Sequence, residues 1–292
     1  MCDEDSMDDM MDHIRSTTPV SRRRFGALTL GTGLIMSLPA VANALAVTGG
    51  EVEIKTPDGT ADCYFAHPTK GTHAAVLVWP DIGGLRPAFR QMGKRLAESG
   101  YAVLVVNPFY RVQRASSTPV NMNFQDDAVR KQLMATMQTL TPTTQVVDAT
   151  AFVSWIDSQP AVNRHRKIGT TGYCMGGPIT MRMAAALPGR IGAAASFHGG
   201  GLVTKDADSP HLLIPKMKAQ YLFAIADNDD QRQPEAKDVL REAFASARLK
   251  AEIEVYKGAQ HGWCPPDSAV YNEAQAEHAW ARMLVLFKKA LA

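Results

Sequence analysis

One cysteine of this chain sits where chemistry needs a nucleophile. Gly172-Tyr173-Cys174-Met175-Gly176-Gly177 separates a short run of strand-forming residues, 167–172, from an Ala/Met-rich helical run, 179–187. A strand that turns at once into a helix lifts the residue at the turn above the strand end. The flanking glycines give the backbone room to fold tightly on itself, often with unusual dihedrals. A cysteine there stands at a helix N-terminus, where partial positive charge favours thiolate over thiol. The backbone N–H of Met175 is then placed to receive an oxyanion. Pro178 falls in the first helical turn, where its missing N–H costs nothing. A cysteine in a glycine-rich turn can equally be a small buried apolar residue, so the rest of the chain has to decide.

A thiol nucleophile needs a base, and the base needs an orienting carboxylate. Both occur downstream of Cys174, each after a strand-like run. Asp227-Asn228-Asp229-Asp230 follows 221–226, and Lys257-Gly258-Ala259-Gln260-His261-Gly262-Trp263 follows 252–256. Nucleophile, acid, histidine is the chain order of the α/β-hydrolases, whose strand-to-helix nucleophile turn the G-x-C-x-G-G motif resembles. His261 lies in a Gly-flanked loop before the last helix and is the candidate base. His198 also follows a strand and is the weaker alternative. Any of Asp227, Asp229 and Asp230 could be the acid, and all three are turn-forming residues as well.

The elements needed to hold these residues can be read from periodicity. Strand-like runs at 51–56 and 61–66 flank Pro57-Asp58-Gly59, which predicts an opening antiparallel hairpin. Strand and helix patterns then alternate: strands at 74–79, 101–106, 191–197, 221–226 and 252–256, helices at 86–99, 123–139, 144–157, 235–248 and 269–290. Alternation of this kind predicts an α/β fold with a mostly parallel central sheet and helices on both faces. No repeat or long linker interrupts it, so residues 47–292 read as one domain.

Composition excludes several classes. The 292 residues are 46% apolar and 21% charged, an ordinary globular balance, and the net charge is +2. No basic stripe with interleaved aromatics suggests a nucleic-acid partner. Residues 1–46 read as a leader: a polar, acidic start, then Ser21-Arg22-Arg23-Arg24-Phe25, a mildly apolar stretch to Leu38, and Ala42-Asn43-Ala44. This is the pattern of a twin-arginine (Tat) export signal with a small-x-small cleavage site. It predicts recognition by the Tat export machinery, a periplasmic product and no stable membrane insertion once the signal is removed. Removal would also take Cys2, leaving Cys63, Cys174 and Cys264. An odd number with no C-x-x-C pair suits neither a disulfide scaffold nor a zinc site, and one thiol at least is expected free.

With these residues in place, the chain resembles the dienelactone hydrolase family, a cysteine-dependent branch of the α/β-hydrolases, over essentially all of 47–292. The resemblance rests on Gly-Tyr-Cys-Met-Gly-Gly, on Asp and His-Gly-Trp in that order, and on Trp79-Pro80-Asp81-Ile82-Gly83-Gly84-Leu85. The family's acid follows a small-x-Asn-Asp turn, which Ala226 to Asp229 matches, so the resemblance implies a Cys174, His261, Asp229 triad. It implies that Asp81, in place of the family's usual Glu, activates the thiol, and that the Ile82 and Met175 amides form the oxyanion hole. Arg111, in Asn107-Pro108-Phe109-Tyr110-Arg111, is the implied anion clamp, with Tyr173 and Trp263 as further substrate contacts. The family's second arginine is expected a few residues after the histidine, where this chain has Cys264-Pro265-Pro266-Asp267.

The reaction so implied is hydrolysis of a small-molecule ester or lactone, dienelactone-like, through an acyl-thioenzyme. No metal or other cofactor is implied, and no dinucleotide fingerprint is present. A thiol three residues after the histidine also raises the expectation of an inactivating Cys174–Cys264 disulfide. Two other readings fit the same residues: a non-catalytic small-molecule binder on this fold, and a cysteine acyltransferase or peptidase.

Overall fold

The computed structural model describes residues 37–117 and 126–292. The acidic start, the twin-arginine sequence and the first residues expected in the 123–139 helix lie outside the described residues. Eight strands form one sheet in the order β1-β2-β4-β3-β5-β6-β7-β8. β1 (Val47–Thr56) and β2 (Gly59–Pro68) form the expected antiparallel hairpin, and β2 also pairs antiparallel with β4 (Ala102–Val105). β3 (Ala75–Trp79), β4, β5 (Ile168–Tyr173), β6 (Ile191–Phe197), β7 (Gln220–Ala226) and β8 (Ala251–Tyr256) are mutually parallel. Every loop that leaves one of these six strands therefore emerges at the same edge of the sheet, where open α/β sheets bind ligands.

Period-two burial divides the core into two layers. Along β3, Ala75, Leu77 and Trp79 join one apolar cluster and Val76 and Val78 the other. The first layer packs under α2 (Asp127–Met137), α3 (Pro142–Asp157), α4 (Gly176–Ala186) and α6 (Ala236–Ser246), through Leu133, Phe152, Ile179, Leu240 and Phe244. The second packs under α1 (Pro87–Glu98) and α7 (Glu273–Ala290), through Phe89, Leu96, Met283 and Phe287. Continuous apolar strands with helices on both faces are what a parallel sheet requires. Among the described residues no helix is long and apolar enough to cross a membrane.

Several elements differ from expectation, three of them for a clear local reason. The 269–290 helix starts at Glu273, because the Asn272 side chain accepts from Gln275 N–H and so caps it there. The 144–157 helix begins two residues earlier, with Pro142 in its first turn and Thr141 as the cap. Asp227–Arg232, expected as a turn, is a short helix, α5. Three aspartates in its first turn suit the positive end of a helix as well as they suit a turn.

Candidate active site

Cys174 stands at the end of β5 with φ +53°, a backbone setting that few non-glycine residues adopt. The strain is held by its surroundings. Cys174 N–H donates to the Phe197 carbonyl at 3.0 Å, and its own carbonyl accepts from Gly177 N–H at 2.9 Å. The glycines are there because nothing larger fits. A Cβ on Gly176 would lie 2.5 Å from the Trp79 carbonyl oxygen, and one on Gly172 would overlap the Gly176 carbonyl. A Cβ on Gly177 would overlap Ser196 Oγ. The β5–α4 turn is thus pressed directly against β3 and β6. Met175 is the residue that enters α4, so its amide lies at the helix's positive end.

The residues after β7 and β8 are joined at four successive points. Asp227 N–H donates to the Ala259 carbonyl at 2.8 Å, and the Asp227 carboxylate accepts from Gly258 N–H at 2.9 Å. Asn228 Oδ1 accepts from His261 N–H at 2.8 Å, and Asp229 Oδ2 meets His261 Nδ1 at 2.8 Å. Geometry distinguishes the three aspartates by what each one touches. Asp227 holds the loop backbone and lies below the usual carboxylate range because of the Gly258 bond. Asp230 is paired with Lys237 at 2.6 Å. Of the three, Asp229 is the one whose carboxylate meets the imidazole. Asn228, a positioning group that the motif reading missed, was visible in the sequence only as part of a turn.

His198 follows β6 and is completely buried, with φ +40° and neither ring nitrogen bonded to a described residue. Its ring lies edge-on to His261, 5.0 Å between centroids, and 5.2 Å from Trp263. Burial, helped by the neighbouring His261, drives its pKa well below 6.5. It is a neutral wall behind the His261 ring, and among the described residues no carboxylate bonds it. A buried neutral histidine makes folding pH-dependent in a definite direction. The unfolded chain takes up a proton below about pH 6.5 that the folded protein refuses, so stability falls as pH drops, by up to about 1.4 kcal/mol per unit. Denaturant melts between pH 7 and 5 should therefore show a shallower acid slope for His198→Met than for wild type. Equal slopes would mean that other groups set the acid limit.

Several expected contacts have other partners. Arg111 is not an open anion clamp: its guanidinium bonds both oxygens of the fully buried Asp148, at 2.7 and 2.8 Å, and also Asp58. Its cause lies in Asp148 on α3, whose burial would be costly without a cation beside it. Asp81 was expected at the thiol, but both its carboxylate oxygens are held by Arg86, at 2.6 and 3.0 Å, while Oδ1 also accepts from Gly83 N–H. Ile82, buried, occupies the turn so formed. Tyr173 and Trp263 are both buried. Tyr173 is stacked on Phe197 and Trp263 on Tyr256, both within the second layer, where they support the site from behind. Cys264 is a free thiol in that layer, whereas Cys174 belongs to the first, so the expected pairing of these two is not formed. Burial raises the Cys264 pKa well above the usual thiol value, keeping it protonated. Among the described residues no three of His, Cys, Asp or Glu converge as a metal site.

The family model for the dienelactone hydrolase family matches residues 61–291. The chain belongs to the dienelactone hydrolase family. Membership makes it a hydrolase of the dienelactone hydrolase type. Its relatives include an Escherichia coli K12 protein named "Putative carboxymethylenebutenolidase", 29% identical, with 84% of this chain and 88% of that one covered. The carboxymethylenebutenolidase of Pseudomonas putida is 25% identical, covering 80% of this chain and 93% of its own length. Among solved structures, one titled "Putative Dienelactone Hydrolase" from Klebsiella pneumoniae superposes with a TM-score of 0.72 at 25% identity, over 84% of this chain and 99% of that one. In this dienelactone hydrolase family member the sheet edge described above carries the candidate site.

Proposed function

We propose that this protein hydrolyses uncharged carboxylic esters or lactones through a thioester on Cys174. The observation that carries the reading is the Asp229–His261 contact at the sheet edge from which the strained Cys174 turn also rises. Cys174 Sγ, its proton transferred to His261 Nε2, attacks the substrate carbonyl as thiolate, and the carbonyl π electrons move onto oxygen. The Met175 and Ile82 amides receive that oxyanion, a donor of this kind being worth about 3 kcal/mol of barrier. The tetrahedral species collapses by expelling the alkoxide, which takes a proton from His261 Nε2. Water then attacks the thioester, giving its proton back to His261 and releasing acid and thiolate. Asp229 on Nδ1 keeps Nε2 as the working nitrogen and stabilises the imidazolium.

The charge arrangement narrows the substrate. Carboxymethylenebutenolide carries a carboxylate, which calls for an available cation beside the reacting carbonyl. Arg111 and Arg86, the arginines nearest in sequence to the expected clamp and oxyanion loop, each already carry two carboxylates. A neutral ester needs no such cation. In reductant, kcat/KM should therefore be higher for p-nitrophenyl acetate than for p-nitrophenyl hemisuccinate, by about tenfold, one charge-pair's worth near a protein surface. A preference for the anionic ester would overturn the substrate assignment while leaving the hydrolase chemistry in place.

We also infer export by the twin-arginine route, on the strength of Arg22-Arg23-Arg24-Phe25 and the small residues 42–44. In a bacterial host, Arg22→Lys/Arg23→Lys is expected to trap the full-length precursor in the cytoplasm. Unchanged periplasmic recovery would count against this route.

A further inference from the structure

Arg86 is one of the most completely engaged side chains in the protein. It is 6% exposed, and its guanidinium joins two loops that are far apart in sequence. Nη1 and Nη2 donate to Asp81 at 2.6 and 3.0 Å, while Nε and Nη2 donate to Asp267 at 2.6 and 3.0 Å. Nη1 also reaches the Gly84 carbonyl at 3.5 Å, and the guanidinium carbon lies 4.8 Å from the Phe89 ring centre. The backbone of Arg86 is fixed too, because it precedes Pro87 at the first turn of α1.

The two loops are those that carry the chemistry. Asp81 opens the β3–α1 turn: its side chain accepts from Gly83 N–H, its carbonyl from Gly84 N–H, and Ile82 lies between. Asp267 belongs to the segment 261–272 that begins with His261. That segment is folded on itself, Trp263 N–H donating to Gln260 and Asn272 N–H to Trp263. We infer that Arg86 is a positioning residue that straps the Ile82 turn to the His261 loop, fixing the oxyanion amide relative to the base. A planar fork with two bidentate partners can hold two loops at one separation, which a lysine's single point charge cannot. The inference rests on the hydrolase reading above for its effect on turnover, but the mechanical link itself does not.

Two readouts separate these. In hydrogen exchange, Asp267→Asn alters only the histidine loop, yet it should raise exchange in residues 82–85. Arg86→Lys should raise it in both 82–85 and 262–268. In turnover of p-nitrophenyl acetate, both variants should lose about 10- to 100-fold in kcat with KM changed little, as expected when reacting groups are misplaced by about 1 Å. The double variant should be no worse than either single one, because the three side chains act as a unit. Arg95→Lys is the control: Arg95 makes a comparably buried fork to Glu277 on α7 and, although it lines one cavity with Cys264, its fork joins helix to helix and ties neither loop to the other, so the variant should lower the melting temperature without lowering kcat. The strap is overturned if exchange at 82–85 is unmoved by Asp267→Asn. It is also overturned if kcat falls in Arg86→Lys no more than in Arg95→Lys. Coupled exchange in a protein without Cys174-dependent turnover would keep the strap and reject the hydrolase reading instead.

Discussion

Cys174→Ala, assayed in reductant on p-nitrophenyl acetate, is expected to lose at least about 1,000-fold in kcat, the usual scale for deleting a nucleophile that acts with its base. The thiolate forms the only covalent bond to substrate in the proposed cycle, so nothing else in the site can substitute for it. Cys174→Ser should be nearly as inactive, since a hydroxyl at this helix N-terminus stays protonated where a thiol ionises. His261→Ala should fall comparably, because both attack and deacylation route their protons through it. The double variant should be scarcely worse than either single one. Hydrolysis by Cys174→Ala at the wild-type rate would reduce Cys174 to a packing residue.

Gly176→Ala is the second large effect, and it acts on folding. The added methyl would sit 2.5 Å from the Trp79 carbonyl oxygen and 3.0 Å from the Trp79 Cβ. Neither is the free end of a flexible chain: the Trp79 carbonyl belongs to the end of β3, and Trp79 itself is fully buried. Relief requires α4 to move off the sheet, which would disturb the Met175 amide as well. Overpacking of this severity costs about 3 kcal/mol, a large share of the 5–15 kcal/mol typical of a domain. Urea melts should show the loss, and the soluble fraction should be inactive. At Gly50, where an added Cβ would meet nothing within 4 Å, the same substitution should be nearly silent. Wild-type stability in Gly176→Ala would mean the turn is looser than described.

The contrast between these two glycines shows what could be read in the chain itself. A glycine's necessity depends on what lies across from it, and Gly172-x-Cys-x-Gly-Gly is unusual in that the opposing atoms are supplied largely by the same turn and its neighbouring strands. The tight turn was readable from its small residues, as was the mostly parallel sheet with helices on both faces, whereas the Trp79 and Ser196 atoms that exclude a side chain at Gly176 and Gly177 lie far away in sequence. The chain order of cysteine, aspartate cluster and His261 was legible too, though preferring Asp229 over Asp227 and Asp230 rested on the resemblance, and its contact with the imidazole appears only in the folded chain. Arginines were the opposite case. Arg111 reads as an anion clamp in the sequence and Arg86 only as the start of a helix, and what they do is decided by Asp148 and Asp267, 37 and 181 residues away. No local pattern records such a pairing. His198 shows the same limit: a histidine after a strand is a base if a carboxylate reaches it and a wall if only rings do.

The most direct test of the central claim is to quench the enzyme with acid during the first turnover of p-nitrophenyl acetate and map the acetyl group by peptide mass spectrometry. The account predicts a burst of one p-nitrophenol per active site and an acetyl thioester on the peptide containing Cys174, cleaved by hydroxylamine. Acetyl on any other residue, or full turnover with Cys174 never modified, would contradict it.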